Sequence, residues 1–226
     1  MRFFCFFVLI LLTSGFTGKE DLDPKLIELI DRIDQKSNTI QTMRAHFKQR
    51  KEISLLKEPV EMFGDFYLKR PDGIKFDFDP KEDLILILTA EEMVALSPKA
   101  KKANRVKMKK KNQLVQRLLS EKIKTLSKYF TVEQVAEEAD GGVHLALYPS
   151  KRRLKKRFQE IHVWVNPDFL INRVKVLSKD GDLYELALEQ IEINRELPAD
   201  LFDVEIPADY QMGDRIEHLL GPGVSF

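Results

Sequence analysis

The protein has 226 residues, of which 43% are hydrophobic and 32% are charged. This length suits one sizeable domain, and the high charged fraction argues against an integral membrane protein. Lys and Arg number 37 and Asp and Glu number 36, which argues against a dedicated nucleic-acid-binding protein because such proteins carry a clear basic excess.

The N-terminal segment has the three-part pattern of a secretory signal peptide. Arg2 is followed by the unbroken apolar run Phe3 to Leu12 and then by the small residues Thr13 to Gly15. The run is shorter than the roughly 20 residues that a helix needs to cross a bilayer, which favours a cleaved signal over an uncleaved membrane anchor. We predict that residues 1–18 are removed on export. Cys5 is removed with them, so the mature protein has no disulfide and is free in solution.

The first predicted element of the mature chain is an amphipathic helix that ends near Ser37. Asp23 is a favourable N-cap residue, and Pro24 suits the first helical position. The apolar residues that recur at helical spacing are Leu26, Leu29, Ile30 and Ile33.

The pattern then changes to an alternation of apolar and polar residues, which predicts antiparallel strands. In the first strand one face carries Met43, Ala45, Phe47 and Gln49. Turn residues such as Pro71-Asp72-Gly73 and Gly141-Gly142 separate the strands. The predicted strands cover residues 40–50, 62–69, 74–78, 84–89, 93–97, 101–111, 130–137, 144–148, 158–165, 169–178 and 183–193.

A second amphipathic helix is predicted over Gln113 to Lys128, where Leu114, Leu118 and Leu119 share a face. The predicted fold is therefore mainly β with some α: a strongly curved antiparallel sheet or incomplete β-barrel whose mouth is covered by amphipathic helices. Residues 19–210 form its single domain, and residues 211–226 form a loosely held C-terminal tail. The inward side chains would fill the core of a closed sandwich or line the cavity of an open barrel, and periodicity alone does not distinguish the two.

Catalytic and metal-binding patterns are absent from the sequence. The histidines His46, His144, His162 and His218 lack metal-ligand spacing, and there is no HExxH, CxxC, GxSxG, GxGxxG or phosphate-loop motif. We therefore predict a protein that is not an enzyme and that needs no metal and no cofactor. His162 alternates with inward-facing residues and is interpreted as a surface histidine.

Two segments are strongly basic. Residues 99–111 contain eight Lys or Arg, and residues 151–157 contain six. They are interpreted either as solvated hairpin edges, where lysine discourages aggregation, or as docking sites for anionic lipid or an acidic partner.

Several short motifs, in this order, resemble the LolA family of outer-membrane lipoprotein carriers. The first is Ala45-His46-Phe47-Lys48-Gln49, and the second runs from Gly64 to Pro71 (GDFYLKRP) and is followed by the aromatic strand 74–78. The segment that ends in Ser97-Pro98 and the late segment 197–207 also resemble the family. The resemblance spans residues 25–210.

This resemblance implies a periplasmic, monomeric carrier for lipoprotein acyl chains. Its donor would be an inner-membrane ABC transporter and its acceptor an outer-membrane protein, with no nucleic-acid partner. By resemblance, Arg70 of the R-P motif holds the helical lid closed through hydrogen bonds. The residues expected to line the apolar cavity are Phe47, Phe66, Leu68, Ile74, Phe76, Leu86 and Leu118.

Two alternatives stay open. A carrier or sensor of free lipids or glycolipids could use the same fold, because an apolar sheet does not select a head group. A structural envelope protein with a filled core is the other. The basic segment 99–111 departs from the family pattern, and so does the chain after Asp209.

Overall fold

The computed structural model describes residues 23–54, 57–107 and 129–213 of the protein. Within these ranges the chain forms two helices and one sheet of twelve strands. The helices are α1 (Pro24–Thr39) and α2 (Arg152–Lys155). The strands are β1 (Thr42–Glu52), β2 (Val60–Lys69), β3 (Gly73–Phe78), β4 (Ile85–Thr89), β5 (Glu92–Ser97), β6 (Lys102–Lys107), β7 (Phe130–Glu137), β8 (Val143–Pro149), β9 (Phe158–Val165), β10 (Ile171–Ser178), β11 (Leu183–Ile193) and β12 (Gln211–Met212).

The sheet is curved and open, with the strand order β12-β6-β5-β4-β3-β2-β1-β11-β10-β9-β8-β7. All neighbouring strands are antiparallel except β12 and β6, which are parallel. Two meanders meet where β1 pairs with β11, with Met43 opposite Ile193. The mainly β, curved antiparallel fold is confirmed, and the predicted strands outside 101–111 agree with the observed ones to within two residues at each end.

Each strand presents alternate side chains to the two faces of the sheet. We call the face that carries Phe47 the inner face and the opposite face the outer face. Buried side chains of β1 to β5 form one apolar cluster, and those of β7 to β10 form a second cluster together with α1. The core of the described residues therefore consists of two apolar clusters, one on each half of the sheet.

Helix α1 begins as its sequence predicts. Asp23 is the N-cap, and its Oδ1 accepts a hydrogen bond of 3.0 Å from the backbone N–H of Lys25. Leu26, Ile30 and Ile33 are buried in the β7–β10 cluster, which is why this amphipathic helix packs on that half of the sheet. The prediction that helices cover the mouth is not confirmed, because residues 113–128, including Leu118, lie outside the described residues. No described helix has the length and apolar character needed to cross a membrane.

The outer face of β4 and β5 is also buried, which alternation did not predict. Ile87 is 4% exposed and Val94 is 1% exposed. Residues 195–210 cross this face: a Cβ on Gly73 would lie 3.4 Å from the Phe202 ring, and Arg105 Nη2 donates to the carbonyl of Val204 at 3.0 Å. The C-terminal part of the chain therefore covers the outer face as a second, irregular layer.

Two further differences concern short elements. Residues 152–155 form one helical turn, α2, between β8 and β9, where no helix was predicted. Gln211 and Met212, the first residues of the predicted tail, pair with Lys102 and Ala103 as β12. Residues 214–226 of that tail and residues 1–18 of the predicted signal peptide lie outside the described residues.

His162 belongs to a stack on the outer face rather than standing alone. Its Nδ1 lies 2.9 Å from Nε2 of His144, whose ring stacks on Trp164 at 4.2 Å between centroids. The guanidinium of Arg173 lies 4.4 Å from the centre of the Trp164 ring on its neighbouring strand. Burial lowers the pKa of His144, the charges of His162, Arg173 and Lys175 lower it further, and Glu138 opposes them.

This stack predicts a stability loss in acid. Because the pKa of His144 is lower in the folded protein than the ordinary 6.5, the neutral ring stabilises the fold, and this contribution is lost as the pH falls below about 6.5. We expect the unfolding midpoint, followed by the fluorescence of Trp164, to fall less between pH 7.5 and 5 in His144→Gln than in the wild type. Equal acid sensitivity of His144→Gln and the wild type would contradict the assignment.

Candidate functional site

Six of the seven predicted cavity residues come together on the inner face of β1 to β4. The structure places Phe66 opposite Phe76, Phe76 opposite Leu86, and Leu68 opposite Ile74. All six belong to one apolar cluster, in which Leu68 and Phe76 are half-buried and the other four are buried. The seventh, Leu118, lies outside the described residues.

Aromatic side chains occupy the middle of this cluster. The Phe76 ring lies edge-to-face at 5.3 Å from Phe47 and at 5.2 Å from Phe66, and Phe47 lies 5.0 Å from Phe78. Gly64 makes this packing possible, because a Cβ there would lie 2.1 Å from the carbonyl oxygen of Asp77 on β3. The glycine of the GDFYLKRP motif therefore lets β2 approach β3 under the aromatic rings.

Two polar side chains, Gln49 and Lys51, are buried at the end of the apolar inner face of β1. Gln49 is 2% exposed, and its Oε1 is buried without a hydrogen-bond partner. A buried polar atom without a partner costs about 1–3 kcal/mol of stability. Gln49 therefore lowers the stability of the fold, even though it belongs to the Phe47-Lys48-Gln49 motif.

Gln49→Met is expected to stabilise the protein. The substitution keeps the side-chain length and removes the unpaired amide oxygen, so the thermal midpoint should rise by about 2–4 °C for each kcal/mol gained. Thermal unfolding followed by circular dichroism measures the shift. Gln134→Met, on an exposed position of β7, is the matched control and should leave the midpoint unchanged. A lower midpoint for Gln49→Met than for the wild type would contradict the absence of a partner.

The C-terminal end of α1 is tied to the sheet by Arg70, which follows β2. Its Nη1 donates to the carbonyl oxygen of Ser37 at 2.6 Å, and its Nη2 donates to Ser37 Oγ at 3.3 Å. The Arg70 backbone N–H also donates to the carbonyl of Gln41 at 2.8 Å. A cation at this position is favoured because the last carbonyl groups of a helix carry partial negative charge. Burial lowers the pKa of Arg70, whose Nε is buried without a partner.

A second side chain, which the sequence analysis did not single out, holds the same helix end. Asn194 follows β11, and its Oδ1 accepts a hydrogen bond of 2.7 Å from the backbone N–H of Gln41. Its Nδ2 donates to the carbonyl of Thr39 at 2.9 Å. Asn194 has a φ of 56°, a left-handed conformation that asparagine tolerates better than most residues. We refer to Ser37, Arg70 and Asn194 together as the helix clasp.

The outer face carries a cavity of about 500 Å³ over β1 to β3. Its lining includes His46, Lys48, Asp65 and Asp77, and His46 Nδ1 lies 2.6 Å from Asp65 Oδ1. Charged side chains share this lining with Phe63 and Pro80, and the cavity lies on the outer face, so it is not the predicted apolar site of the inner face. Across the described ranges, no three His, Cys, Asp or Glu side chains are arranged to hold a metal ion.

Comparison with known proteins gives a family and a fold. Residues 38–205 match the sequence profile of the family described as outer membrane lipoprotein carrier protein LolA. An uncharacterized conserved protein from Thermus thermophilus is similar in structure, with a TM-score of 0.54 at 12% identity over 84% of this chain and 98% of that one. A LolA superfamily protein from Nitrosomonas europaea gives a TM-score of 0.39 at 11% identity, covering 78% of this chain and 96% of that one. The Mycobacterium tuberculosis lipoprotein LppX gives 0.46 at 12% identity, covering 79% of this chain and all of that one. No curated protein matches in sequence.

Proposed function

Because the chain belongs to the LolA family of outer membrane lipoprotein carriers, we propose that it carries lipoproteins through the periplasm by binding their acyl chains on its inner face. In this proposal the signal peptide is cleaved and the protein acts as a monomer. An inner-membrane ABC transporter loads it, and an outer-membrane acceptor unloads it. The observation that carries the proposal is the apolar inner face of β1 to β4 beside a helix that Arg70 holds at one end.

The inner face suits an alkyl chain because it supplies apolar contacts from four adjacent strands. Each CH₂ group exposed to water is unfavourable by about 0.8 kcal/mol, so one chain of about 15 carbons needs on the order of 12 kcal/mol of compensation. Phe47, Phe66 and Phe76 offer flat, apolar ring surfaces that can separate to admit such a chain. A carrier of this kind binds by burial alone and needs no catalytic group.

The helix clasp gives the carrier a closed empty state. Ile40 and Gln41 connect α1 directly to β1, and the clasp lies at this connection. If α1 moves as a lid, this end of the helix is its hinge. When the protein is empty, the clasp holds α1 against the β7–β10 half of the sheet and so limits access to the neighbouring apolar inner face. When cargo is bound, the clasp is broken, and its re-formation favours release. The closed state therefore lowers the net affinity for cargo.

Analysis of the bound material tests the proposal. The protein is purified from the periplasm without detergent, and its ligands are identified by mass spectrometry. Triacylated lipoproteins are expected, and transfer to an acceptor should follow in a reconstituted assay. Free phospholipid or glycolipid would instead favour a carrier or sensor of free lipids. If no lipid is found and the protein takes up no apolar dye, the result would instead favour a structural protein with a filled core.

A further inference from the structure

Charge is distributed unevenly between the two ends of the sheet. In an antiparallel sheet alternate connections fall at the same end, and we name the ends after α2 and Arg70. The connections at the α2 end (53–59, 79–84, 98–101, 150–157 and 179–182) carry eleven basic and six acidic residues. The turns at the Arg70 end (70–72, 90–91, 138–142 and 166–170) carry one basic and five acidic residues. Among these turns and connections, basic residues predominate at the α2 end and acidic residues at the Arg70 end.

The positive charge of the α2 end is concentrated in one connection. Residues 151–157 supply six of its basic side chains and none of its acidic ones. Leu154 is buried at 5% exposure, whereas Arg152, Arg153, Lys155 and Lys156 are exposed. The single helical turn is therefore held by its leucine and displays its cations to solvent.

The neighbouring turn extends this surface. The backbone N–H of Lys179 donates to the carbonyl of Arg157 at 2.9 Å, which joins the β10–β11 turn to the β8–β9 connection. We call the surface formed by Lys151, Arg152, Arg153, Lys155, Lys156, Arg157 and Lys179 the basic patch. Asp182, an acidic residue of this turn, is buried and accepts hydrogen bonds from the backbone and side chain of Ser54. It therefore does not present its charge at the surface of the patch, whereas Asp180 of the same turn is exposed beside Lys179.

We propose that the basic patch docks the protein, by its α2 end, on an anionic lipid surface. A protein partner is expected to meet a surface with an apolar centre. Between residues 150 and 157 the only large apolar side chain is Leu154, which is buried. An anionic membrane requires only positive charge, which the patch supplies, and the acidic Arg70 end is then turned away from it. Docking requires no cargo, so this proposal goes beyond the proposed function and stands or falls separately from it.

Vesicle binding tests the proposal with the purified protein. Co-sedimentation is measured with vesicles of phosphatidylcholine alone and with vesicles that contain phosphatidylglycerol. Each basic residue near an anionic surface contributes about fivefold to the binding constant, so Arg152→Gln, Arg153→Gln, Lys155→Gln and Lys156→Gln combined should weaken binding several hundredfold. High salt should release the wild-type protein, because salt screens the attraction.

A matched variant separates the patch from net charge. Lys25→Gln, Lys36→Gln, Lys107→Gln and Arg195→Gln combined remove the same charge outside the patch and should weaken binding less than tenfold. Equal losses in the two variants would overturn the proposal in favour of a net-charge effect. Equal wild-type binding to both vesicle types would also overturn it. Binding to polyglutamate with none to vesicles would overturn it in favour of an acidic protein partner.

Discussion

Arg70→Leu is expected to leave the protein folded but to lower lipoprotein transfer by tenfold or more. The substitution removes two hydrogen bonds from a cation to Ser37 at the end of α1. Hydrogen bonds to charged groups contribute about 1.5–3 kcal/mol, and about 1.4 kcal/mol is enough to raise the ratio of open to closed lid tenfold. A carrier whose closed state is weakened holds its cargo more tightly. More lipid should therefore co-purify with the variant, and less should be handed to the acceptor.

Two substitutions serve as controls for Arg70→Leu. Arg105→Leu removes another arginine that donates to a backbone carbonyl, that of Val204, but it does not touch α1. It should transfer cargo normally. Arg70→Lys keeps the charge but not the two-pronged geometry, so its transfer should be intermediate. Hydrogen exchange of the α1 amides reads the lid directly. Unchanged exchange and normal transfer in Arg70→Leu would rule out the clasp as a lid lock.

The strands could be predicted from the sequence because each buries one face, so an apolar side chain recurs at every second position. The pattern does not indicate which strands pair with each other when they are far apart in the chain. Nothing local in β1 indicates that it pairs with β11, since that contact is between distant parts of the chain. The apolar run 84–89 predicts a strand, but nothing in it indicates that residues 195–210 cover its outer side. The helix α2 was missed because a single turn is too short to show helical periodicity.

The candidate site was predictable in part for the same reason. Arg70 was singled out because its motif resembles a family pattern, and the inner-face residues followed from alternation. Ser37 could not be identified from the sequence as the partner of Arg70, because its backbone carbonyl is a group that every residue possesses. Asn194 gave no signal either, since its contacts with Thr39 and Gln41 depend on how β11 returns beside β1. Sequence reasoning therefore identified Arg70, the donor in the helix clasp, but it identified neither Ser37, its acceptor, nor Asn194.

Phe76→Glu and Ile74→Glu are expected to reduce lipid retention by tenfold or more. Phe76 lies within 6.4 Å of three other phenylalanine rings, so a carboxylate there would face apolar surface without a cation. Ile74 lies on the same face near the start of β3 and is buried, so its variant is a second, independent test of the inner face. Retention is measured as lipid per protein after purification.

Phe63→Glu is the control for these two variants. Phe63 is half-buried on the outer face of β2, between Lys48 and Lys81, which can pair with the new carboxylate. Unchanged retention in both inner-face variants would remove them from the binding site.

Phe76→Ala separates a carrier from a protein with a filled core. In either case the empty protein loses packing around the deleted ring, and a Phe→Ala change of this kind costs about 3–5 kcal/mol. A carrier can refill the space with an alkyl chain, and a ligand that binds only the folded state stabilises it by mass action. Adding dodecanoate should therefore raise the thermal midpoint of Phe76→Ala and of the wild type, but not that of Phe76→Glu. A filled core gives no rise in the wild type, because without an opening beside α1 the chain cannot reach the rings of Phe47 and Phe66.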